Sequence, residues 1–181
     1  QWMEIALRPR GYQNDPRPES REPDVHSIRL LGEPLSRKNA WEARRNVIDP
    51  MQHSTLSQLV RQWDIDRTSL GIIRPAEVLD IEVTEADDKW SPKHEALMAQ
   101  PLLIGERRKL EKIPYRFHYV FRCDDDTEPQ RLLIADWELG ALFIKERDTK
   151  GEKAAVQSVR SKFLDELCGD DKDTRFFVGT R

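Results

Sequence analysis

Residues 115–123 read Tyr-Arg-Phe-His-Tyr-Val-Phe-Arg-Cys. Tyr115, Phe117, Tyr119 and Phe121 recur at every second position, the period of a β-strand, and so share one face. Arg116, His118 and Arg122 share the other face, with Val120 between them. A strand that is aromatic on one face and charged on the other is half-buried, and the aromatic face needs a packed layer above it. Three aspartates at 124–126 make an acidic turn, and residues 131–135 (RLLIA) return as a second strand, so 115–135 reads as a hairpin.

Downstream of the hairpin the pattern becomes helical. Asp136 opens a helix over about residues 137–147. Residues 152–167 carry Val156, Val159, Phe163, Leu164 and Leu167 as one apolar stripe. Gly169 follows as a C′ glycine. Phe176, Phe177 and Val178 form a last strand. Upstream, 69–73 (SLGII) and 77–84 (EVLDIEVT) read as strands parted by Arg74-Pro75. A helix over 55–64, with Ser54 as N-cap, has Leu56, Leu59, Val60 and Trp63 at i, i+3, i+4 and i+7. Residues 37–48 (RKNAWEARRNVI) read as another helix, with Ser36 as N-cap and Asp49-Pro50 ending it. Residues 1–7 and 26–31 suit short strands, and a short helix is expected near 92–99 within a charged, weakly patterned stretch over 86–114. Strands and helices mix without strict βαβ alternation. The expectation is an α+β fold, with an antiparallel or mixed sheet of about five to six strands packed by about three to four helices.

The chain has 181 residues, 30 Lys+Arg against 33 Asp+Glu, a net charge of −3, 35% charged and 38% hydrophobic residues. That length sustains one core without disulfides, so residues 1–181 read as a single α+β domain. Strands at both ends make it look like a fragment of a longer chain. Residues 8–24, with Pro9, Pro16, Pro18 and Pro23 among many charges, read as an extended Pro/Arg-rich arm. No window offers the 18 or so uninterrupted apolar residues of a membrane span, and no charged-then-apolar leader is visible. Cys123 and Cys168 lie far apart without CxxC spacing, as expected of free thiols in a reducing cytoplasm. The near-neutral charge gives no global pull toward nucleic acid, so an anion-binding surface has to come from local clustering.

Such a cluster lies at 37–45. Arg37, Lys38, Arg44 and Arg45 surround Trp41, and cations bracketing an aromatic suit phosphate contact with stacking. Arg17 and Arg21 in the neighbouring arm extend the set, although Asp15, Glu19, Glu22 and Asp24 interleave with them. A second candidate is the pair Asp136 and Glu138, where a strand hands over to a helix. Carboxylates so placed can hold a divalent metal for phosphodiester chemistry, yet they equally suit an N-cap and a first-turn acid. The Arg116, His118, Arg122 strand face can bind an anion or serve as an ordinary wet sheet face. An E-x-K nuclease signature on a core strand, GxSxG, HExxH, GxGxxG and GxxxxGK[ST] are all absent from the sequence.

Three stretches carry a resemblance: DPRPES at 15–20, SLGIIRPAEVLD at 69–80, and IPYRFHYVFRC with LLIADWELGALF over 113–143, joined by FFVGT at 176–180. Together they resemble an uncharacterised prokaryotic family of conserved hypothetical proteins marked by SLGIIRP, DWE and FFVGT-type motifs. The resemblance implies a chain that continues on both sides. It also implies a Cys/His metal site in some relatives that is not available here, because Cys123 stands alone and Gln130 occupies the place of the His.

The expected function is a cytoplasmic, non-catalytic module of a prokaryotic nucleic-acid-processing or antiviral defence assembly, with DNA or RNA and other proteins of the assembly as partners and no membrane. Neither a cofactor nor a metal is called for. The alternatives are a metal-dependent phosphodiester hydrolase using Asp136 and Glu138, and a protein–protein adaptor.

Overall fold

The computed structural model describes residues 4–9, 15, 17–51, 53–99 and 111–179. In chain order the elements are β1 (Ile5–Ala6), a 3-10 turn (Val25–Ser27), β2 (Arg29–Leu30), α1 (Lys38–Ile48), β3 (His53–Ser54), α2 (Leu56–Asp66), β4 (Leu70–Ile73) and β5 (Glu77–Glu85). There follow α3 (Pro92–Ala99), β6 (Tyr115–Arg122), β7 (Gln130–Leu133), α4 (Trp137–Lys150), α5 (Glu152–Arg160), a π-helical turn (Ser161–Glu166) and β8 (Phe176–Gly179). The fold is α+β, with the strands in three small sheets. Among the described residues no helix is long and apolar enough to cross a membrane. The structure groups into two compact units: residues 1–75 with 175–181, and residues 76–174.

The second unit is built on the 115–123 stretch. β6 is the central strand of an antiparallel sheet of order β5-β6-β7. Its aromatic face is the buried one. Phe117 and Phe121 are sealed from water, and Phe117 joins Ile81, Leu139, Phe143, Ala155, Val159 and Phe163 in the core. The helices α4 and α5 supply the covering layer. Phe143 stands edge-on to Tyr115 and Phe117, at centroid distances of 5.7 and 6.4 Å, the arrangement that aromatic quadrupoles prefer. Gly151 separates the two helices with φ of 84°, a left-handed conformation that glycine takes without strain. Glu146 ties them together by accepting from Lys150 Nζ at 2.6 Å and Ser158 Oγ at 3.1 Å. Arg160 binds the sheet at the bulge between Val78 and Asp80. Its Nη2 donates to Asp80 Oδ1 at 2.6 Å and its Nη1 to the Ile81 carbonyl.

The helix expected over 152–167 begins as read, but its last part is the π-helical turn. A wider turn rotates later side chains off the apolar stripe. Val159 and Phe163 are buried, whereas Leu167 faces water. Gly169 is required for a reason other than a left-handed cap. A Cβ there would stand 2.7 Å from the Asp165 carbonyl oxygen.

The first unit is thinner. β4 is central in a sheet of order β3-β4-β8, parallel to β3 and antiparallel to β8. Ile72 and Ile73 on β4 are its buried hydrophobic residues among those described. α2 lies on the Gly71 face, where a Cβ on Gly71 would meet the Leu59 methyls at 2.5 Å. The N-cap of α2 is Thr55, one residue after the expected Ser54, which is in β3. Thr55 Oγ1 accepts from Gln58 N at 3.2 Å while Gln58 Oε1 accepts from Thr55 N at 3.1 Å, a complete capping box. The 8–24 segment is pinned at both ends: Pro9 bridges Pro23, and Asp24 N donates to the Arg8 carbonyl at 2.9 Å. Residues 1–3, part of the expected first strand, lie outside the described residues.

Candidate nucleic-acid interface

α1 places the basic cluster. Ser36 Oγ accepts from Lys38 N at 3.0 Å, so it caps one position away from the usual geometry, and Arg37 takes the N-cap position. The first turn is not a regular one: Asn39 and Trp41 hold φ of 52° and 66°. Asn visits that region readily, whereas an indole-bearing residue does so at a cost. Trp41 is 51% exposed, while Arg44, one turn on, is 8% exposed. The Arg44 guanidinium carbon lies 4.5 Å from the Trp41 ring centroid, a cation–π stack. Arg37, Lys38 and Arg45 are exposed. Arg45 makes a 3.5 Å ion pair with Asp49, of the solvated i,i+4 kind that contributes little to stability. Lys38, Trp41, Arg44 and Arg45 thus lie on one helix with Arg37 as its N-cap, the indole stacked on the buried cation and three cations exposed.

The arm arginines are engaged elsewhere. Arg17 forks onto Asp15, with Nε at 2.8 and 2.9 Å from the two carboxylate oxygens, and this guanidinium holds the Asp15 carboxyl far below the usual carboxylate range. Arg21 Nη1 donates to the backbone carbonyl of Ser20 at 2.6 Å and also to that of Pro18. Arg8 pairs with Asp24 at 3.4 Å. These contacts engage Arg8, Arg17 and Arg21 with acids and carbonyls of the arm itself.

Asp136 is the N-cap of α4. Its Oδ1 accepts from Glu138 N at 2.7 Å, and Glu138 occupies the acidic first-turn position. One carboxylate therefore satisfies a helix donor and the other lies along the helix dipole. Among the described residues no group of three or more His, Cys, Asp and Glu is placed to hold a metal ion. Trp137 between them is 75% exposed.

On the charged face of β6, Arg116 and Arg122 are exposed, and His118 is engaged by a neighbouring strand. Arg131 on β7 makes a 2.9 Å ion pair with Glu82 on β5 and donates to His118 Nδ1 at 3.2 Å. Burial, and then the neighbouring Arg131, push the His118 imidazole below its ordinary value, with Glu82 opposing. Cys123 is buried; its N–H donates to Asp126 Oδ2 at 2.8 Å. Burial pushes the Cys168 thiol up, the reverse of what a nucleophile needs.

Sequence reasoning passed over two arrangements. Two further Trp residues carry cations, Arg67 at 5.4 Å from the Trp63 centroid and Lys112 at 5.6 Å from Trp90. The i,i+4 spacing of Trp63 on α2 and Arg67 at its C-cap was the available signal. The other is Glu19, which binds the start of β4 over a separation of fifty residues and leaves no local trace.

Neither a curated protein nor a solved structure matches the chain. One family model does, a domain of unknown function (DUF8757), over residues 52–181. The match takes in Asp136, Glu138 and both three-stranded sheets, and begins after α1. With most of its length covered, this chain belongs to the DUF8757 family.

Proposed function

We propose that this protein is a non-catalytic module that contacts nucleic acid through α1, working in a nucleic-acid-processing or defence assembly. One observation carries the reading: a half-exposed Trp41 stacked on Arg44, with Arg37, Lys38 and Arg45 in water around it. Exposed cations supply phosphate contacts that release counterions, and the aromatic supplies a surface for a base. With a net charge of −3 the contact is local and modest in strength.

A titration of the full chain against labelled single- and double-stranded DNA and RNA tests this. Binding is expected at micromolar protein. With about three phosphates neutralised, the slope of log K against log salt is about −2 to −3. Charge reversal at Arg37, Lys38 and Arg45 together should abolish it. Absence of salt-sensitive binding at micromolar protein overturns the reading.

A protein–protein adaptor is the second reading. It is favoured by the apolar side chains that the first unit leaves in water, among them Val25, Leu30, Leu31, Val60, Ile65 and Phe177. Under it, Arg45→Glu leaves nucleic-acid affinity untouched while a protein partner is lost. The hydrolase reading has less to stand on, since the Asp136 carboxylate is engaged as a helix cap.

A further inference from the structure

We propose that the α1 surface takes single-stranded rather than duplex nucleic acid, with one unpaired base stacked on the outer face of Trp41. The inference rests on the nucleic-acid reading above and names its substrate class.

The indole has two faces with different fates. One lies against the Arg44 guanidinium, 4.5 Å from the ring centroid, and Arg44 is itself buried. Trp41 nevertheless remains half exposed, so the stack on Arg44 leaves part of the residue open to water. A flat apolar surface of this kind, backed by a cation, is a platform for another flat ring. The residue also holds its left-handed φ of 66° at a cost that a helix position does not otherwise require.

A duplex can use that platform only by unstacking a base step, which costs about a few kcal/mol. Its base faces are already stacked on one another, and the groove edges it offers are read by polar side chains such as Arg, Asn and Gln. A single strand offers base faces freely, and aromatic stacking is tolerant of sequence because every base has one. The cations fit the same picture. Arg37 and Lys38 precede Trp41, and Arg45 follows it by about one helical turn, about 6 Å along the axis. A short backbone segment can therefore meet a cation on either side of the stacked base. Arg45 makes an exposed ion pair with Asp49, which a phosphate can replace.

Fluorescence anisotropy of the full chain, with a labelled mixed-sequence single strand of about twelve nucleotides and the matching duplex, tests this at two salt concentrations. The single strand should bind at least about tenfold more tightly than the duplex. Trp41→Ala should weaken single-strand binding by about 5- to 150-fold, the range for one stacked base, and change duplex binding less than about twofold. Should the alanine variant fail to fold by circular dichroism, Trp41→Phe and Trp41→Leu decide, because both keep apolar bulk over Arg44. Phe should stay within about threefold of wild type and Leu should lose binding. Equal affinity for the two nucleic acids, or equal behaviour of Phe and Leu, overturns the inference and leaves the nucleic-acid reading standing. Binding of neither overturns both, and retention of a protein partner on the same face would then favour the adaptor.

Discussion

Glu19 Oε1 accepts hydrogen bonds from Ser69 N at 2.6 Å, from the Ser69 hydroxyl and from Leu70 N at 2.9 Å, and so ties itself to the start of β4 and the residue before it. Ser69 is buried. The hydroxyl hydrogen bond is the main cause that holds the Glu19 carboxyl below the ordinary glutamate range, burial opposing it. A carboxylate with a depressed folded pKa stabilises fully above its unfolded pKa, and that contribution is lost as pH falls through the folded value. Glu19→Gln should therefore melt at a lower temperature than wild type near neutral pH. The gap should close as the pH is lowered through the carboxylate range. A gap that stays constant from pH 7 to pH 3 would refute the assignment.

Asp136 offers a direct contest between cap and catalyst. Asp136→Ala should cost about 1 kcal/mol in urea denaturation. Asp136→Asn should stay within a few tenths, because asparagine caps as well as aspartate. Phosphodiesterase activity that appears with Mn²⁺ and vanishes in Asp136→Asn would reinstate the hydrolase reading.

Two aromatic residues of α4 should respond in opposite ways. Phe143 is sealed from water among Tyr115 and Phe117, so Phe143→Ala should lose about 3–5 kcal/mol. Trp137, three-quarters exposed, should change stability by no more than about 0.5 kcal/mol when replaced by alanine. Chemical denaturation of both variants measures the contrast.

Gly71 and Leu59 should couple. A side chain at Gly71 runs into the Leu59 methyls, so Gly71→Val should destabilise by about 1–3 kcal/mol. Adding Leu59→Ala makes room, and the double variant should be less destabilised than the sum of the two single ones. Strict additivity in a double-mutant cycle would show that α2 does not press on β4 as described.

Legibility in the sequence followed the range of each interaction. The period-two aromatics of 115–121 and the helical stripe through Val159 and Phe163 are local patterns, and both proved to be core faces. The pairing of Trp41 with Arg44 was legible at i,i+3, but the left-handed φ of Trp41 was not, because propensity argues against it. Thr55 as the cap of α2 had a signal in Gln58 three residues later, whereas the π-helical turn at 161–166 has no sequence signature. The pairing of Arg17 with Asp15 was foreshadowed by their interleaving. The grip of Glu19 on Ser69 depends on the tertiary path of the chain, which no window of sequence contains.

The strand order β3-β4-β8 has a further consequence for how the chain is made and cut. Ile73, the last residue of β4, is paired with Phe176, the first of β8. Residues 76–174 are therefore spliced into the first unit as a cassette whose entry and exit points are neighbours on one sheet. During synthesis β4 waits about a hundred residues for its partner, while the cassette already has its own sheet and helices. Joining residue 74 to residue 175 by a short turn would make β4 and β8 sequence neighbours in the antiparallel register they already hold.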